Sequence, residues 1–248
     1  DLNAKINHRF SEKDEVYLSG YFGRDVFSFK STDAGFGTDI PWGNAIASLR
    51  WNHLFNDQLF LNMNVSYTDY NFAFEGEQEE FAFGFNSGIE DWSYKSTMNY
   101  YPNSRHEIKG GVEYVFHQFM PTDFFARNGD TPIEFGVSEV TYSHESSAFI
   151  ESDFEVNEFL KIYSGLRYSD FRHVGPFTRY SSDYTVMDST VFGKGELVKK
   201  YGGFEPRISA RIKTGTYSSI KAGFSENYQY VNLASLSAST APTDVWLP

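Results

Sequence analysis

A two-residue period in side-chain polarity runs through almost the whole chain, and it leaves few folds open. It is clearest from Phe204 to Tyr228, FEPRISARIKTGTYSSIKAGFSENY. Phe204, Pro206, Ile208, Ala210 and Ile212 alternate with Glu205, Arg207, Ser209 and Arg211. A polar turn, Lys213 to Ser218, carries a Gly at its centre. Beyond it Ile220, Ala222 and Phe224 alternate with Lys221, Gly223 and Ser225. That period belongs to a β-strand with one apolar and one polar face, so the stretch predicts a hairpin.

The same unit recurs. Strands are predicted over 2–10, 15–29, 44–55, 59–70, 89–101, 107–119, 145–154 and 159–171, followed by the two arms of the hairpin above. The connections alternate in length. Short ones fall near residues 12, 57, 104, 156 and 216, and long ones cover about 30–43, 71–88, 120–144 and 172–200. The apolar faces carry no Lys, Arg, Asp or Glu within the membrane-length part of any strand. The opposite faces carry Lys5, Arg9, Arg50, Lys95, Lys109, Glu113, Glu151, Asp153, Lys161, Arg167, Glu205, Arg207, Arg211 and Lys221. A tilted strand of about 9–11 residues crosses a bilayer, and Lys or Arg on its lipid face at the midplane costs about 2–4 kcal/mol. The pattern predicts an all-β, antiparallel, up-and-down transmembrane barrel with short periplasmic turns and long extracellular loops. Pro206 lacks a backbone donor, so a bulge or a missing bond is expected there.

Composition agrees with a barrel. Aromatic residues make up 19% of the chain, yet only 40% is hydrophobic and the mean hydropathy is −0.45. Such a mixture suits a wall whose alternate residues meet lipid, with aromatics gathered at both interfaces. No run approaches the 18 apolar residues of a membrane helix. There is no cysteine, hence no disulfide framework or thiolate site. A net charge of −12 argues against nucleic acid as a partner. No signal peptide opens the sequence, and Asp1 leads directly into an alternating segment, as expected of a piece of a longer chain.

Three stretches carry a family likeness: GIEDWSYKSTMNYYPNSRHEIKGGVEYVFHQF (Gly88 to Phe119), YGGFEPRISARI (Tyr201 to Ile212), and SSIKAGFSENYQYVNLAS with APTDVWLP (Ser218 to Pro248). They resemble the barrel of TonB-dependent outer-membrane receptors, above all the SusC-like group with a carboxypeptidase-regulatory-like N-terminal domain. The resemblance implies a 22-stranded barrel closed by a plug and energised through TonB. Residues 1–248 then form one partial barrel domain, about ten strands from its middle, with neither plug nor TonB box. It also implies an outer-membrane location, a transported solute (iron chelate, haem, glycan or peptide), a surface lipoprotein as a potential partner, lipid contact, and no cofactor.

Lumen-facing candidates for gripping a plug or solute are Arg50, Lys95, Lys109, Glu113, His117, Arg167, Glu205, Arg207 and Arg211; a cross-strand ladder that holds register accounts for the same charges. Trp42, Tyr180, Tyr184 and Trp246 are assigned to the long loops, where aromatics stack on ligand rings or simply pack the loop. The acidic run Glu75, Glu77, Glu79 and Glu80 lacks the spacing of a calcium loop and is assigned to a solvated loop. The six histidines are scattered, no metal site is expected, and no nucleophile, zinc or phosphate-loop motif is present, so no enzyme is expected. The rival readings are a complete ten-stranded passive pore or adhesin, and a soluble β-rich glycan-binding module.

Overall fold

The computed structural model describes residues 1–31, 33, 35–133, 139–182, 187–234 and 245–247, with backbone only at 122, 181, 182, 187, 232–234 and 245–247. Ten long strands run in chain order through one antiparallel meander: β1 (Leu2–Arg9), β2 (Asp14–Ser31), β3 (Phe36–Asn56), β4 (Leu59–Gln78), β5 (Phe81–Asn103), β6 (His106–Asn128), β8 (Thr141–Glu155), β9 (Leu160–Val174), β12 (Leu197–Lys213) and β13 (Ser219–Ser225). Short β7 (Thr131–Ile133) turns back on β6. β10 (Phe177–Ser182) with β11 (Met187–Phe192), and β14 (Asn232–Ala234) with β15 (Val245–Leu247), form two small hairpin sheets. Among the described residues the large sheet is open, with β1 and β13 at its edges.

The short turns close by one repeated device. Asn56, Asn103 and Asn157 each accept, through Oδ1, the backbone N–H two residues on, from Gln58, Arg105 and Phe159, at 2.9 Å. Ser11 Oγ does the same for Lys13 at 3.0 Å. These side chains imitate a backbone turn, which is why Asn and Ser punctuate the pattern there.

The other ends differ from expectation. The segments assigned to long loops at 30–43 and 71–88 are mostly strand. β2 and β3 pair up to Ser31↔Phe36, and β4 and β5 up to Gln78↔Phe81. The acidic run is therefore the tip of a hairpin, with Glu79 in the left-handed region at φ 54°. The alternation never stopped at Tyr70. Phe72, Phe74, Phe81, Phe83 and Phe85 continue the period of two but place their rings on the face that is polar lower down, so the pattern changes sense without losing its period. Similarly, β6 runs on to Asn128, and β10–β11 occupies the loop assigned to 172–200. No register shift occurs at Pro206, which stands opposite Leu166 in an unbroken ladder. The β12–β13 ladder ends at Arg207↔Ser225, and Pro206 supplies only its carbonyl, to Glu226 N at 3.1 Å. The missing donor thus falls at a ladder end. Within β12 the shift lies between Leu197 and Lys199.

The outer face is an exposed apolar band. Leu18, Leu49, Val65, Val112, Ile150, Leu166 and Ile208 all stand open to the surroundings. On β4, β5, β6, β9 and β12 the band covers nine residues from the short-turn end: Leu59 to Tyr67, Trp92 to Tyr100, Ile108 to Phe116, Leu160 to Tyr168, Phe204 to Ile212. That is about 27 Å along the strand, or roughly 20 Å of height at the tilt of a membrane barrel. Aromatic pairs mark its upper rim, with ring centroids 4.9 Å apart for Tyr67–Trp92 and 5.1 Å for Tyr168–Phe204. At the lower rim Trp51 Nε1 and His53 Nδ1 meet Asp14 Oδ1 at 3.2 and 2.6 Å. The His53 contact holds the Asp14 carboxyl below the usual carboxylate range.

Candidate functional site

At membrane height the inner face of β5, β6, β8, β9 and β12 carries a charge lattice. Direct pairing places Lys95 opposite Glu113 and Lys109 opposite Glu151, with Nζ–Oε distances of 3.4 and 3.9 Å. Arg167 is the hub: its guanidinium lies 3.5 Å from Glu113, 3.8 Å from Glu145 and 3.6 Å from Glu205. Arg207 continues the lattice to Glu205 at 3.6 Å and Glu151 at 3.9 Å. His117 Nδ1 meets Asp91 Oδ1 at 2.7 Å, and its Nε2 lies 3.9 Å from Glu145. Glu205 is only 3% exposed and accepts the Ser169 hydroxyl at 2.6 Å. Most of these ion pairs are longer than charge-assisted hydrogen bonds. Arg167 Nε, Arg207 Nε and His117 Nε2 are buried with no hydrogen-bond partner. The lattice is near charge balance, with Asp91, Glu113, Glu145, Glu151 and Glu205 facing Lys95, Lys109, His117, Arg167 and Arg207, yet it keeps unspent donors.

The structure joins seven of the nine expected inner-face residues in that lattice: Lys95, Lys109, Glu113, His117, Arg167, Glu205 and Arg207. Two stand apart. Arg50 lies over the Tyr17 ring, 4.3 Å from its centroid, beside Lys5 at 5.2 Å. Arg211 sits in a row of three cations, opposite Lys161 and Lys221; of these, Lys161 pairs with Asp153 at 2.8 Å, and Arg211 has no ion pair among the described residues. Asp91 and Glu145 were not picked out from the sequence, although both share the parity of the residues that were. On β5 and β8 the charged residues expected to face inward, Lys95, Glu151 and Asp153, lie lower on the same strands.

Above the lattice the same face turns aromatic. Phe72, Phe74, Phe81, Phe83, Phe85 and Phe124 form a connected set, with centroids 5.6–5.9 Å apart and Phe74 stacked on Phe85. Phe72 is 4% exposed. A Cβ at Gly76 would lie 2.8 Å from the Phe83 ring, so glycine is what lets that ring lie flat on β4. Trp42 belongs to this surface, opposite Phe72 on β3. Its placement in a loop is thus corrected: the aromatic alternation extends the strand through it. Tyr180 is likewise on a strand, exposed on β10. Tyr184 lies outside the described residues. Trp246 is described in backbone only, on β15 opposite Leu233.

The segment after β13 was also missed. Arg207 Nη2 donates to Asn227 Oδ1 at 2.8 Å. Tyr228 covers Gly203, where a Cβ would meet its ring at 2.7 Å. Tyr230 stacks on Phe171 at 5.4 Å, and its hydroxyl lies 2.7 Å from Ser169 Oγ. Residues 226–230 thus strap the inner face of β12 and β9, beside the buried Glu205.

No protein-family model matches the chain, and no curated protein matches it in sequence. Solved structures do match its fold. The ferric preacinetobactin receptor BauA of Acinetobacter baumannii aligns over 98% of this chain at TM-score 0.61 and 12% identity. The ferric yersiniabactin uptake receptor FyuA of Yersinia pestis aligns over 86% at 0.61 and 8% identity. The hemophore receptor HasR of Serratia marcescens, solved with its hemophore HasA and heme, aligns over 90% at 0.58 and 13% identity. The aligned part is 41%, 35% and 35% of those chains respectively, so this chain spans well under half the length of the receptors it matches. Its fold is that of the barrel wall of TonB-dependent outer-membrane receptors.

Proposed function

We propose that this chain is a wall segment of an outer-membrane receptor that imports a scarce or bulky solute with TonB-coupled energy. The observation that carries it is the reversal along one face of a membrane-length sheet: a loosely paired charge lattice at bilayer height below an aromatic vestibule outside the bilayer. A passive pore needs neither. The lattice offers buried donors that a plug could engage and release. The vestibule offers flat rings to a solute that itself has flat faces, and on that ground our reading favours an iron chelate, haem or glycan over a peptide. The matched receptors are those for ferric preacinetobactin, for ferric yersiniabactin and for a heme-bearing hemophore. The finer placement in the SusC-like group, with its lipoprotein partner, rests on the sequence resemblance alone. No bond chemistry is assigned to these residues. Their role is to form a wall, an anchoring surface for the plug, and part of a binding vestibule.

The test is uptake by cells that depend on the whole receptor, with outer-membrane fractionation alongside. Accumulation of radiolabelled ferric chelate or haem should stop when a protonophore collapses the proton-motive force. Flux that persists without that force makes the barrel a passive pore and removes the TonB reading.

A further inference from the structure

A second cluster lies on the opposite face of the sheet, where none of the vestibule or lattice residues reach. Beyond the Tyr168–Phe204 rim, the outer face of β9 and β12 presents Asp170, Arg172 and Lys200, with Arg172 directly opposite Lys200. Both cations stand four residues above the rim. That is about 13 Å along the strand and roughly 10 Å in height at barrel tilt. This height is the headgroup layer, and long side chains can reach back toward the interface from there. On β4 and β5 the outer face just above the band instead carries Asp69 opposite Glu90. The basic character is local.

The cluster has a built geometry. Asp170 accepts Arg172 Nε through Oδ1 at 2.6 Å, and Lys200 Nζ lies 2.8 Å from its Oδ2, at ion-pair distance without hydrogen-bond alignment. The Asp170 side chain is 8% exposed, whereas those of Arg172 and Lys200 are about half exposed. The carboxylate therefore sits beneath and holds two cations side by side. One suffices to neutralise it, and the second is surplus. The terminal guanidinium nitrogens of Arg172 have no partner among the described residues, leaving its planar fork open. An open cleft of about 660 Å³ adjoins the pair. Its floor is Tyr114 and His144, joined Oη to Nδ1 at 2.6 Å, and its apolar flank is Leu197 and Val174.

We propose that this cleft binds a phosphate group of an outer-leaflet lipid. A surplus positive charge, an open guanidinium fork and an adjacent ammonium match an anionic phosphate group. The aromatic and aliphatic walls match the sugar or acyl portion next to it. Asp170 acts as a positioning residue. The site rests on reading the sheet as membrane-spanning, and it assigns a function independent of solute import.

The test uses the whole receptor purified in a neutral detergent, with bound lipid counted by native mass spectrometry. The probes are diphosphorylated lipid A, the same lipid dephosphorylated, and inorganic phosphate. Phosphorylated lipid should bind at least about tenfold more tightly than its dephosphorylated form, the contribution of two interfacial cations. Combined Arg172→Gln and Lys200→Gln should abolish that difference. Asp170→Asn, which keeps both cations and an Oδ1 acceptor for Arg172 but loses the carboxylate beside Lys200, should retain the preference at reduced size. Heat-dependent gel mobility confirms that each variant is folded, and a receptor lacking that mobility would instead count against the membrane reading itself. Equal binding of the two lipids, an undiminished preference in the double variant, or competition by inorganic phosphate at lipid-like affinity overturns the proposal.

Discussion

The inner face of the sheet has two districts that share strands, register and parity but not chemistry. At bilayer height it is a lattice of Arg167, Glu113, Glu145, Glu205 and Arg207. One storey higher it is Phe72, Phe74, Phe83 and Phe85. Parity fixes only the side to which a residue points. The partner it meets on that side depends on height. Behind the lower district is lipid, so the outward set must be apolar and the inward set is left to carry charge. The upper district has water outside, and the constraint is lifted. There the apolar set can turn inward and pack on itself.

Phe72→Ala should have the largest effect, because it removes the most buried ring of the upper set. A loss of about 3 kcal/mol is expected, seen as melting of the extended hairpins in urea before the membrane band unfolds. Simultaneous unfolding of both districts would show that they are one cooperative unit. Arg167→Met should cost less, about 2–3 kcal/mol, because the side chain is a quarter exposed and solvent takes up part of the change. The penalty comes mainly from leaving buried Glu205 with Arg207 as its one remaining cation. Adding Glu205→Gln should therefore recover much of it. A double variant no better than the single would mean that the lattice acts through packing and not through charge.

The smallest effect belongs to the lower rim. The folded Asp14 carboxyl has a depressed pKa, so its contribution is present above the unfolded carboxylate value, near about pH 4, and is lost as pH falls through the folded value. Asp14→Asn should lower the urea midpoint slightly at pH 7 and leave it unchanged once the pH has fallen below the folded value as well. A difference that persists in acid would assign the residue's role to the Ser11 turn and the Trp51 contact instead of to ionised charge.

Alternation alone was enough to give the ten strands, their order as a meander, the side each residue faces and the positions of the short turns. These are local properties: a period of two, and Asn or Ser where a turn needs a side-chain acceptor. The same logic made seven lattice residues legible from Lys95 to Arg207. It stopped short at Trp42 and Phe72 because a reversal of polarity along a strand looks like the end of the strand when only composition is in view. Which charges pair, the role of Arg167 as a hub, the fold-back of Tyr228 and Tyr230, and the meeting of Arg172 with Lys200 were decided by tertiary structure. Each depends on the stagger between neighbouring strands, set by ladder register and bulges such as those beside Gly88 and Lys199. Stagger brings together residues dozens of positions apart, and no periodicity within a single strand encodes it.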